Sequence, residues 1–398
     1  MEEQSPDGSG RMSSALAAFR RASEPERLAR YLGYAIPFTI VGLFLFDKAI
    51  IRSILYIFCL VPIAVYVYQV RWTPVRASLY WWVIVLMCGW WLLSIAWSQN
   101  MSLESAYDAA RLALIVALFF TGAIAVARQG YLRVESALTG MLTLALMLGL
   151  AILIWIAVTG DMFDTGYRLR GFGFADHPVQ AGIMYGFAAV VALMRLFDAK
   201  GAAWRASYAA ALIVCSVVVA LTDSRGPMIG MIFAACVFAV ARDRRLLLPI
   251  AGGFAALLLG AHTAGLIDLD NWVARGSSLR FEIWSHVLSR SAENPFLGLG
   301  AAAVLDALGH NSAHNIVLGT LFYQGLVGVG LLLILGGRAA YDAFATAHAG
   351  TVAPLVMLAF ASPVLLVDNQ SFIINLNRDW LILYLPILML CRPSDVVR

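Results

Sequence analysis

The sequence has 398 residues, of which 61% are hydrophobic and 13% are charged, with a net charge of +4. Together with a mean hydropathy of +0.80, this composition excludes a water-soluble globular domain and indicates a polytopic membrane protein. The small net charge is spread over many segments, so the sequence shows no basic patch of the kind that binds nucleic acid. Membrane lipids are the expected surroundings.

Apolar runs long enough to span a bilayer, or nearly so, predict about twelve transmembrane helices. They fall at 31–46, 49–69, 79–97, 106–127, 136–158, 179–197, 206–222, 226–241, 246–266, 313–337, 351–368 and 378–391. The distribution of Arg and Lys favours cytoplasmic N- and C-termini, which an even number of crossings allows. The sequence therefore predicts an all-α protein with a single transmembrane domain, 31–398, behind a disordered cytoplasmic tail, 1–30.

Two connections on the opposite, outer side are long and polar, 159–178 and 267–312. Within the second, Leu279 to Arg290 has apolar residues at helical spacing, namely Phe281, Trp284, Val287 and Leu288. This spacing predicts an amphipathic helix that lies against the membrane or against the bundle.

A polar stretch with His314 leads into the tenth apolar run. Gly325 follows His314 by eleven residues and Gly328 follows it by fourteen, which at about 100° per residue predicts one helical stripe with an imidazole and two small residues. A neutral imidazole beside the bilayer can take a proton from a hydroxyl, so His314 is a candidate general base. A structural histidine is the alternative, and His310 and His177 are competing candidates.

Several residues around His314 could support such a base. Asp368 ends the eleventh apolar run, where it is either an interfacial polar residue or a carboxylate that orients His314 or an arginine. Asp176 and His177 precede a proline and are expected to line an outer cavity. Metal binding is disfavoured, because only His310 and His314 have ligand spacing and they straddle a loop and a helix.

Several arginines lie on the predicted outer side, although arginine usually favours the cytoplasmic side of a membrane protein. They are Arg168, Arg170, Arg225, Arg275, Arg280 and Arg290. Arg225 lies in the turn TDSRG between two apolar runs, with almost no loop to solvate it. Snorkelling to lipid head groups explains a lone arginine, but several on one face favour a shared anion such as phosphate. Arg111 differs, since Asp108 lies three residues earlier and predicts an ion pair that faces the bundle.

These residues resemble the signature of the O-antigen ligases and the related O-antigen polymerase superfamily. The match is His314-Asn315, nine residues, Gly325, two residues and Gly328. Supporting it are Arg170-Gly171 leading to ADHP, Ser224-Arg225-Gly226, Arg280 before Phe281 and Trp284, and ENPFLGLG at 293–300. The segment Asp176-His177-Pro178 departs from the Asn-Pro-Asn that relatives often carry.

The resemblance implies a fold similar to GT-C glycosyltransferases, with a periplasmic helical loop. It implies transfer of a glycan from undecaprenyl diphosphate to lipid A-core at the periplasmic face of the bacterial inner membrane, without metal or other cofactor. His314 matches the family's catalytic base, Arg225 and Arg280, with Arg170, match its diphosphate-binding arginines, and Asp368 matches its late acidic residue.

Two alternatives stay open at this point. A polymerase of O-antigen or exopolysaccharide repeat units would use the same chemistry with a second lipid-linked glycan as acceptor. A polytopic transporter is also compatible with twelve helices, but it predicts substrate-binding charges near the middle of the membrane. Arg111 is the one clear charge of that kind, whereas the other candidates gather at one face.

Overall fold

The computed structural model describes residues 24–71, 73–98, 101–159, 168–263, 265, 279–307 and 309–391. Regular structure within these ranges is helical, apart from an isolated bridge between Ala307 and His310. The helices are α1 (Pro25–Val41), α2 (Lys48–Val70), α3 (Leu79–Trp97), α4 (Leu103–Arg128), α5 (Val134–Thr159), α6 (Pro178–Asp198), α7 (Ala202–Leu221), α8 (Arg225–Arg242), α9 (Arg244–Thr263), α10 (Arg280–Ser291), α11 (Ile316–His348), α12 (Ala353–Val367) and α13 (Trp380–Leu390).

Each of the predicted apolar runs coincides with one of these helices. In the described part of the chain, nine helices are long and apolar enough to cross a membrane. The other three that match apolar runs are α1, α12 and α13, and they are shorter. The all-helical, polytopic prediction is therefore confirmed, while a total of twelve crossings stays a prediction.

The first helix begins earlier than the apolar pattern predicted. Pro25 occupies its first turn, so the helix starts inside the segment 1–30 that the sequence assigned to a tail. Glu26 pairs with Arg30 one turn later, and such pairs stabilise polar helical turns that an apolar count misses. The part of the predicted tail at 1–23 lies outside the described residues.

Small residues bring the central helices close together. α6 packs against α7 and α8, and α8 packs against α12. A Cβ at Gly182 of α6 would lie 2.9 Å from the Thr222 hydroxyl, and one at Gly230 of α8 would lie 2.9 Å from the Phe360 carbonyl oxygen. Such contacts let helix backbones approach within a membrane. They bring the turn before α8 next to the end of α12.

The long helix α11 is broken at Gly325, which has φ of 63° and ψ of −164°. The preceding segment 295–300 pairs with the broken turn. The Leu299 and Gly300 N–H groups donate to the Phe322 and Tyr323 carbonyls at 2.7 and 3.1 Å, and the Leu326 and Val327 N–H groups donate to the Pro295 and Phe296 carbonyls at 2.8 and 3.3 Å. Irregular backbone at membrane depth is tolerated only when its polar groups are satisfied in this way.

The predicted stripe of His314, Gly325 and Gly328 is therefore wrong. His314 precedes the first residue of α11, and Gly325 is not helical, so no continuous helical register joins the three. A side chain at position 325 would overlap the Phe296 carbonyl oxygen, and one at position 328 would overlap the Gln324 side chain. Gly325 allows the break and the approach of the preceding segment, and Gly328 leaves room for the Gln324 side chain.

Helix α10 confirms the predicted helix in the long outer connection. Ile283 and Val287 are buried against the bundle, one turn apart. Phe281 and Leu288 are exposed, although the sequence placed them on one stripe with Val287. Apolar residues occupy two faces of this short helix, and only one of those faces meets the bundle. Of the predicted connection 267–312, residues 267–278 and 308 lie outside the described residues.

One end of the bundle, called the site end below, gathers the turns before α2, α6, α8 and α11 and the turn after α12. The Lys48 amine lies 3.3 Å from Asp176, which joins the starts of α2 and α6. The Ser98 hydroxyl accepts from the Ala302 N–H at 3.0 Å, which joins the end of α3 to the segment before α11. The outer connections predicted from the sequence therefore meet at one end.

Candidate active site

His314 stands directly before α11 rather than within it. Asn315 caps the helix, since its Oδ1 accepts hydrogen bonds from the N–H groups of Val317 and Leu318 at 2.9 and 3.1 Å. His314 has φ of 49°, a left-handed conformation that side chains other than glycine rarely adopt. The turn that starts the helix therefore holds the imidazole in a fixed place, and Asn315 serves as the cap.

The carboxylate of Asp368 contacts this imidazole. Asp368 directly follows α12, and its Oδ1 lies 3.1 Å from Nδ1 of His314. The histidine side chain is 31% exposed and the aspartate side chain 12%, so the imidazole is the accessible partner. Because an ionised carboxylate only accepts hydrogen bonds, Nδ1 carries the proton in this contact, and in the neutral imidazole Nε2 then has the free lone pair. A histidine in this state can accept a proton from a hydroxyl.

Arg378, in the connection between α12 and α13, holds the other side of the carboxylate. One terminal guanidinium nitrogen lies 2.9 Å from Oδ2 of Asp368 and donates to the Asp368 carbonyl at 2.6 Å. Burial favours the neutral acid, but Arg378, His314 and Arg280 together outweigh it and lower the pKa of Asp368. Asp368 is therefore ionised at neutral pH.

A glycine lets the segment after α12 lie directly against α11. A side chain at Gly319 would overlap the carbonyl oxygen of Gln370. The Gln370 amide donates to the Tyr323 hydroxyl at 2.7 Å and to the Asn311 carbonyl at 3.1 Å. These contacts fix the segment between α11 and the loop before it, and so they set the distance between the carboxylate and the imidazole.

Two of the predicted anion-binding arginines reach the same end of α12. Arg280, the first residue of α10, donates from Nε to the Val367 carbonyl at 2.9 Å. Arg225, the first residue of α8, adjoins Gly226, where a Cβ would lie 3.2 Å from the Val367 side chain. Both arginines are partly exposed. The structure thus gathers them around the residue that precedes Asp368.

The segment between α5 and α6 brings a third arginine to the site end. Arg168 donates from Nε to the Thr222 carbonyl and from a terminal nitrogen to the Ser224 hydroxyl, both at 3.3 Å. These bonds fix the segment against the turn that carries Arg225. Arg170 is exposed and makes no hydrogen bond or ion pair with the described residues, so its guanidinium is available to an anion.

Asp176 and His177 have structural contacts at this end. Asp176 pairs with Lys48, as described above. His177 caps α6, since its Nδ1 accepts from the Val179 N–H at 3.3 Å. Partial burial lowers the pKa of His177, and nearby arginines add to this effect while Asp368 opposes it. His177 is therefore a neutral cap within electrostatic reach of the site.

His310 is the nearest other imidazole to His314, with ring centroids 6.2 Å apart. It is exposed, whereas His314 is partly buried and bonded to a carboxylate. Among the residues that the structure describes, no three His, Cys, Asp or Glu side chains are grouped so that they could hold a metal ion. The carboxylate contact is what distinguishes His314 from the competing histidines.

Arg111 lies on α4 and forms the predicted ion pair with Asp108, at 3.0 Å. It also donates to the Tyr56 hydroxyl at 3.4 Å. The side chains of the pair are 37% and 52% exposed, so the prediction that they face the bundle interior is wrong. Arg111 satisfies its charge locally, at the surface of the bundle.

An apolar groove of about 1040 Å³ runs along α11, between α8, α12 and α13. At the site end its lining includes Ile316 and Leu366, each two residues from the His314 and Asp368 pair. It continues to Phe344 and His348 at the far end of α11. A groove of this composition can hold a hydrocarbon chain whose head group lies beside the pair.

The fold and the site define a helical, polytopic membrane protein with an imidazole, a carboxylate and several arginines at one end of an apolar groove. Residues 210–333 match the family model described as O-antigen ligase. Over 358 residues the chain is 25% identical to an O-antigen ligase of Pseudomonas aeruginosa, covering 86% of this chain and 85% of that protein. Both findings confirm the resemblance that the sequence motifs indicated.

The matched region contains Arg225, Arg280 and His314, but Asp368 and Arg378 lie beyond it. Arg378 is not among the site residues predicted from the sequence. The sequence did contain an indication of its role, because Asp368 and Arg378 flank the polar connection NQSFIINLN between two apolar runs. A carboxylate that ends one membrane helix is well placed to pair with a cation that begins the next.

Proposed function

We propose that this protein is an O-antigen ligase, which transfers a glycan from undecaprenyl diphosphate to a sugar hydroxyl of lipid A-core. The observation that carries the proposal is the contact between His314 and Asp368 at the mouth of the apolar groove. A lipid-linked donor would place its prenyl chain in the groove and its diphosphate beside the arginines. The reaction would take place at the periplasmic face of the inner membrane, with both termini in the cytoplasm.

In this mechanism, Nε2 of His314 removes the proton from the acceptor hydroxyl while the hydroxyl oxygen attacks the anomeric carbon. The bond from that carbon to the diphosphate oxygen breaks, and its electron pair leaves with undecaprenyl diphosphate. A single displacement inverts the configuration at the anomeric carbon. Asp368, as an ionised carboxylate, stabilises the imidazolium that forms. No metal or nucleotide takes part in the proposed reaction.

The arginines stabilise the charge that develops on the leaving diphosphate. A guanidinium group can hold two phosphate oxygens through parallel hydrogen bonds. Arg280 uses Nε to bond the Val367 carbonyl, which leaves its terminal nitrogens for the diphosphate. Arg225 and Arg170 act from the turn before α8 and from the segment before α6. Donors fixed in place before the reaction stabilise a transition state more than mobile ones do.

The proposal also includes twelve crossings and a fold similar to GT-C glycosyltransferases. His314 before α11 and Asp368 after α12 are in contact. Helix α11 therefore leads away from the site end, and α12 leads back to it. The short helix α12 therefore crosses together with α11, and α13 leads away again. A helix of 15 residues is about 22 Å long, which is short for a bilayer and would require local thinning.

A reconstituted reaction tests this function. Purified protein would receive undecaprenyl diphosphate-linked glycan and lipid A-core, and we expect the glycan on lipid A-core with wild-type protein and none with His314→Ala. Extension of the lipid-linked glycan without any product on lipid A-core would indicate a polymerase instead. In cells, intact glycan transfer with His314→Ala together with its loss with Arg111→Ala would contradict the proposed site and favour the transporter.

A further inference from the structure

We infer that Arg378 is a positioning residue for this site, which clamps the Asp368 carboxylate in the orientation that receives the His314 imidazole. The inference rests on the proposed function, because it assigns Arg378 a part in that reaction. Arg378 lies outside the segment that matches the O-antigen ligase family model.

The clamp follows from what the guanidinium contacts. One terminal nitrogen donates a hydrogen bond to the carbonyl oxygen of Asp368 at 2.6 Å and forms an ion pair with its Oδ2 at 2.9 Å. A cation that holds main chain and side chain of one residue restricts rotation of that side chain. Oδ1 is left facing His314. The Arg378 side chain is only 14% exposed, so it acts from behind the carboxylate rather than in the opening of the site.

The charges of the groups around Arg378 also support its role in holding Asp368. Arg378 lies between two buried carboxyl groups, since its Nε is 3.7 Å from Oδ1 of Asp379. Burial raises the pKa of Asp379 in spite of Arg378, whereas the pKa of Asp368 is lowered. Asp379 instead accepts a hydrogen bond from the Asn377 amide at 2.9 Å. The single positive charge of Arg378 is therefore committed to Asp368.

Other charged groups also surround Asp368, and each belongs to a different element. His314 faces Asp368 from the start of α11, and Arg280 faces it from the start of α10. Asp379 lies in the same connection as Asp368, between α12 and α13. His177 acts from the start of α6, and Arg225 stands at the start of α8. Burial opposes ionisation most strongly, and Arg378 is the largest of the effects that overcome it. Removing Arg378 should therefore raise the pKa of Asp368.

The test compares Arg378→Met, which removes the charge, with Arg378→Lys, which keeps it. For Arg378→Met we expect kcat at pH 6 to fall by about tenfold to a hundredfold, as for loss of other supporting contacts. The acid limb of the kcat profile should move to higher pH, because Asp368 then takes up a proton more easily. Activity should recover in part towards pH 9, KM for the donor should stay unchanged, and Arg378→Lys should restore most of the activity.

Two other outcomes would overturn the inference. An equal loss at every pH, together with a lower unfolding temperature, would show a structural role only. A raised KM for the donor with an unchanged pH profile would show that Arg378 binds the diphosphate directly. Asp379→Asn is the matched control, because it alters the neighbouring carboxyl group and leaves the clamp in place. We expect it to keep the wild-type pH profile.

A measurement without glycan separates this inference from the proposed function. Diethyl pyrocarbonate modifies neutral imidazole, and mass spectrometry locates the modified histidine. At pH 6 we expect faster modification of His314 in Arg378→Met than in wild type, because an imidazole beside a neutral acid is protonated less. Unchanged modification would contradict the clamp even if His314→Ala is inactive. Glycan transfer by His314→Ala would contradict the proposed function, whatever the modification rates.

Discussion

Gly319 and Gln370 pack so closely that any side chain at position 319 would overlap the Gln370 carbonyl oxygen. This contact joins the helix that follows His314 to the segment that begins at Asp368. The distance between the His314 imidazole and the Asp368 carboxylate therefore depends on a residue that has no functional group of its own.

We predict that Gly319→Ala lowers glycan transfer by about a hundredfold, since displacement of a catalytic contact by roughly 1 Å has an effect of that order. Initial rates at saturating donor would measure the loss. Gly330→Ala on the same helix is the matched control, because a Cβ there meets nothing within 4 Å. Equal rates for Gly319→Ala and wild type would show that the packing does not set the site.

Asp368→Asn should lower kcat by about tenfold to a hundredfold, because the amide keeps the size of the carboxylate but cannot stabilise an imidazolium. Steady-state kinetics at neutral pH would measure the change. Asp108→Asn serves as control, since it also removes a carboxylate paired with an arginine, at 3.0 Å, but away from the site. A loss of the same size in both variants would contradict a specific role for Asp368.

Arg225→Gln and Arg280→Gln should each slow transfer by about a hundredfold, which corresponds to roughly 3 kcal/mol of lost transition-state stabilisation. The ratio kcat/KM for the donor would report the loss. Arg242→Gln, at the opposite end of α8, removes an arginine that pairs with Asp198 at 2.5 Å. We expect this control to keep its activity, and unchanged activity of both site variants would argue against diphosphate binding.

Gly325→Ala should destabilise the protein itself. The residue has φ of 63°, and an added Cβ would overlap the Phe296 carbonyl oxygen, so strain and steric overlap act together. We expect a lower thermal unfolding midpoint in detergent, whereas Gly336→Ala on the same helix should have little effect because the space around it is open. An unchanged midpoint for Gly325→Ala would mean that the break can close or shift at little cost.

His177 should make stability depend on pH. Its pKa is lowered from the ordinary value of 6.5, so the unfolded chain takes up a proton before the folded protein does. The contribution of His177 is complete above pH 6.5 and declines as the pH falls below it. We predict that the unfolding midpoint falls less between pH 7.5 and 5.5 in His177→Asn, which keeps a capping side chain, than in wild type. Parallel curves for the two proteins would contradict this.

The apolar pattern predicted the helices because bilayer thickness imposes a minimum length on each run. It also located the tight turn with Arg225, since polar residues separate α7 from α8 there. The contact between His314 and Asp368 was one of two roles predicted for Asp368, because carboxylates commonly orient catalytic imidazoles. These features depend on local sequence and on the alternation of crossings.

The break at Gly325 and the role of Arg378 could not be predicted in the same way. A glycine at regular spacing indicates a small face on a helix as readily as a broken turn, and only the docked segment 295–300 decides between them. Gln370 and Arg378 lie in a connection without periodicity, and Gln370 acts through Asn311 and Tyr323, which are distant in the chain. Such contacts arise from packing between helices, which one sequence does not specify by pattern.

Gly325 lies nine residues beyond the start of α11, or about 13 Å along the helix at 1.5 Å per residue. Peptide groups left unpaired at that depth in hydrocarbon cost several kcal/mol each. During biosynthesis, α11 therefore cannot take its final shape in lipid until the segment 295–300, which leaves the ribosome before it, has docked. We expect His314 and Asp368 to come together only after this part of the chain has assembled.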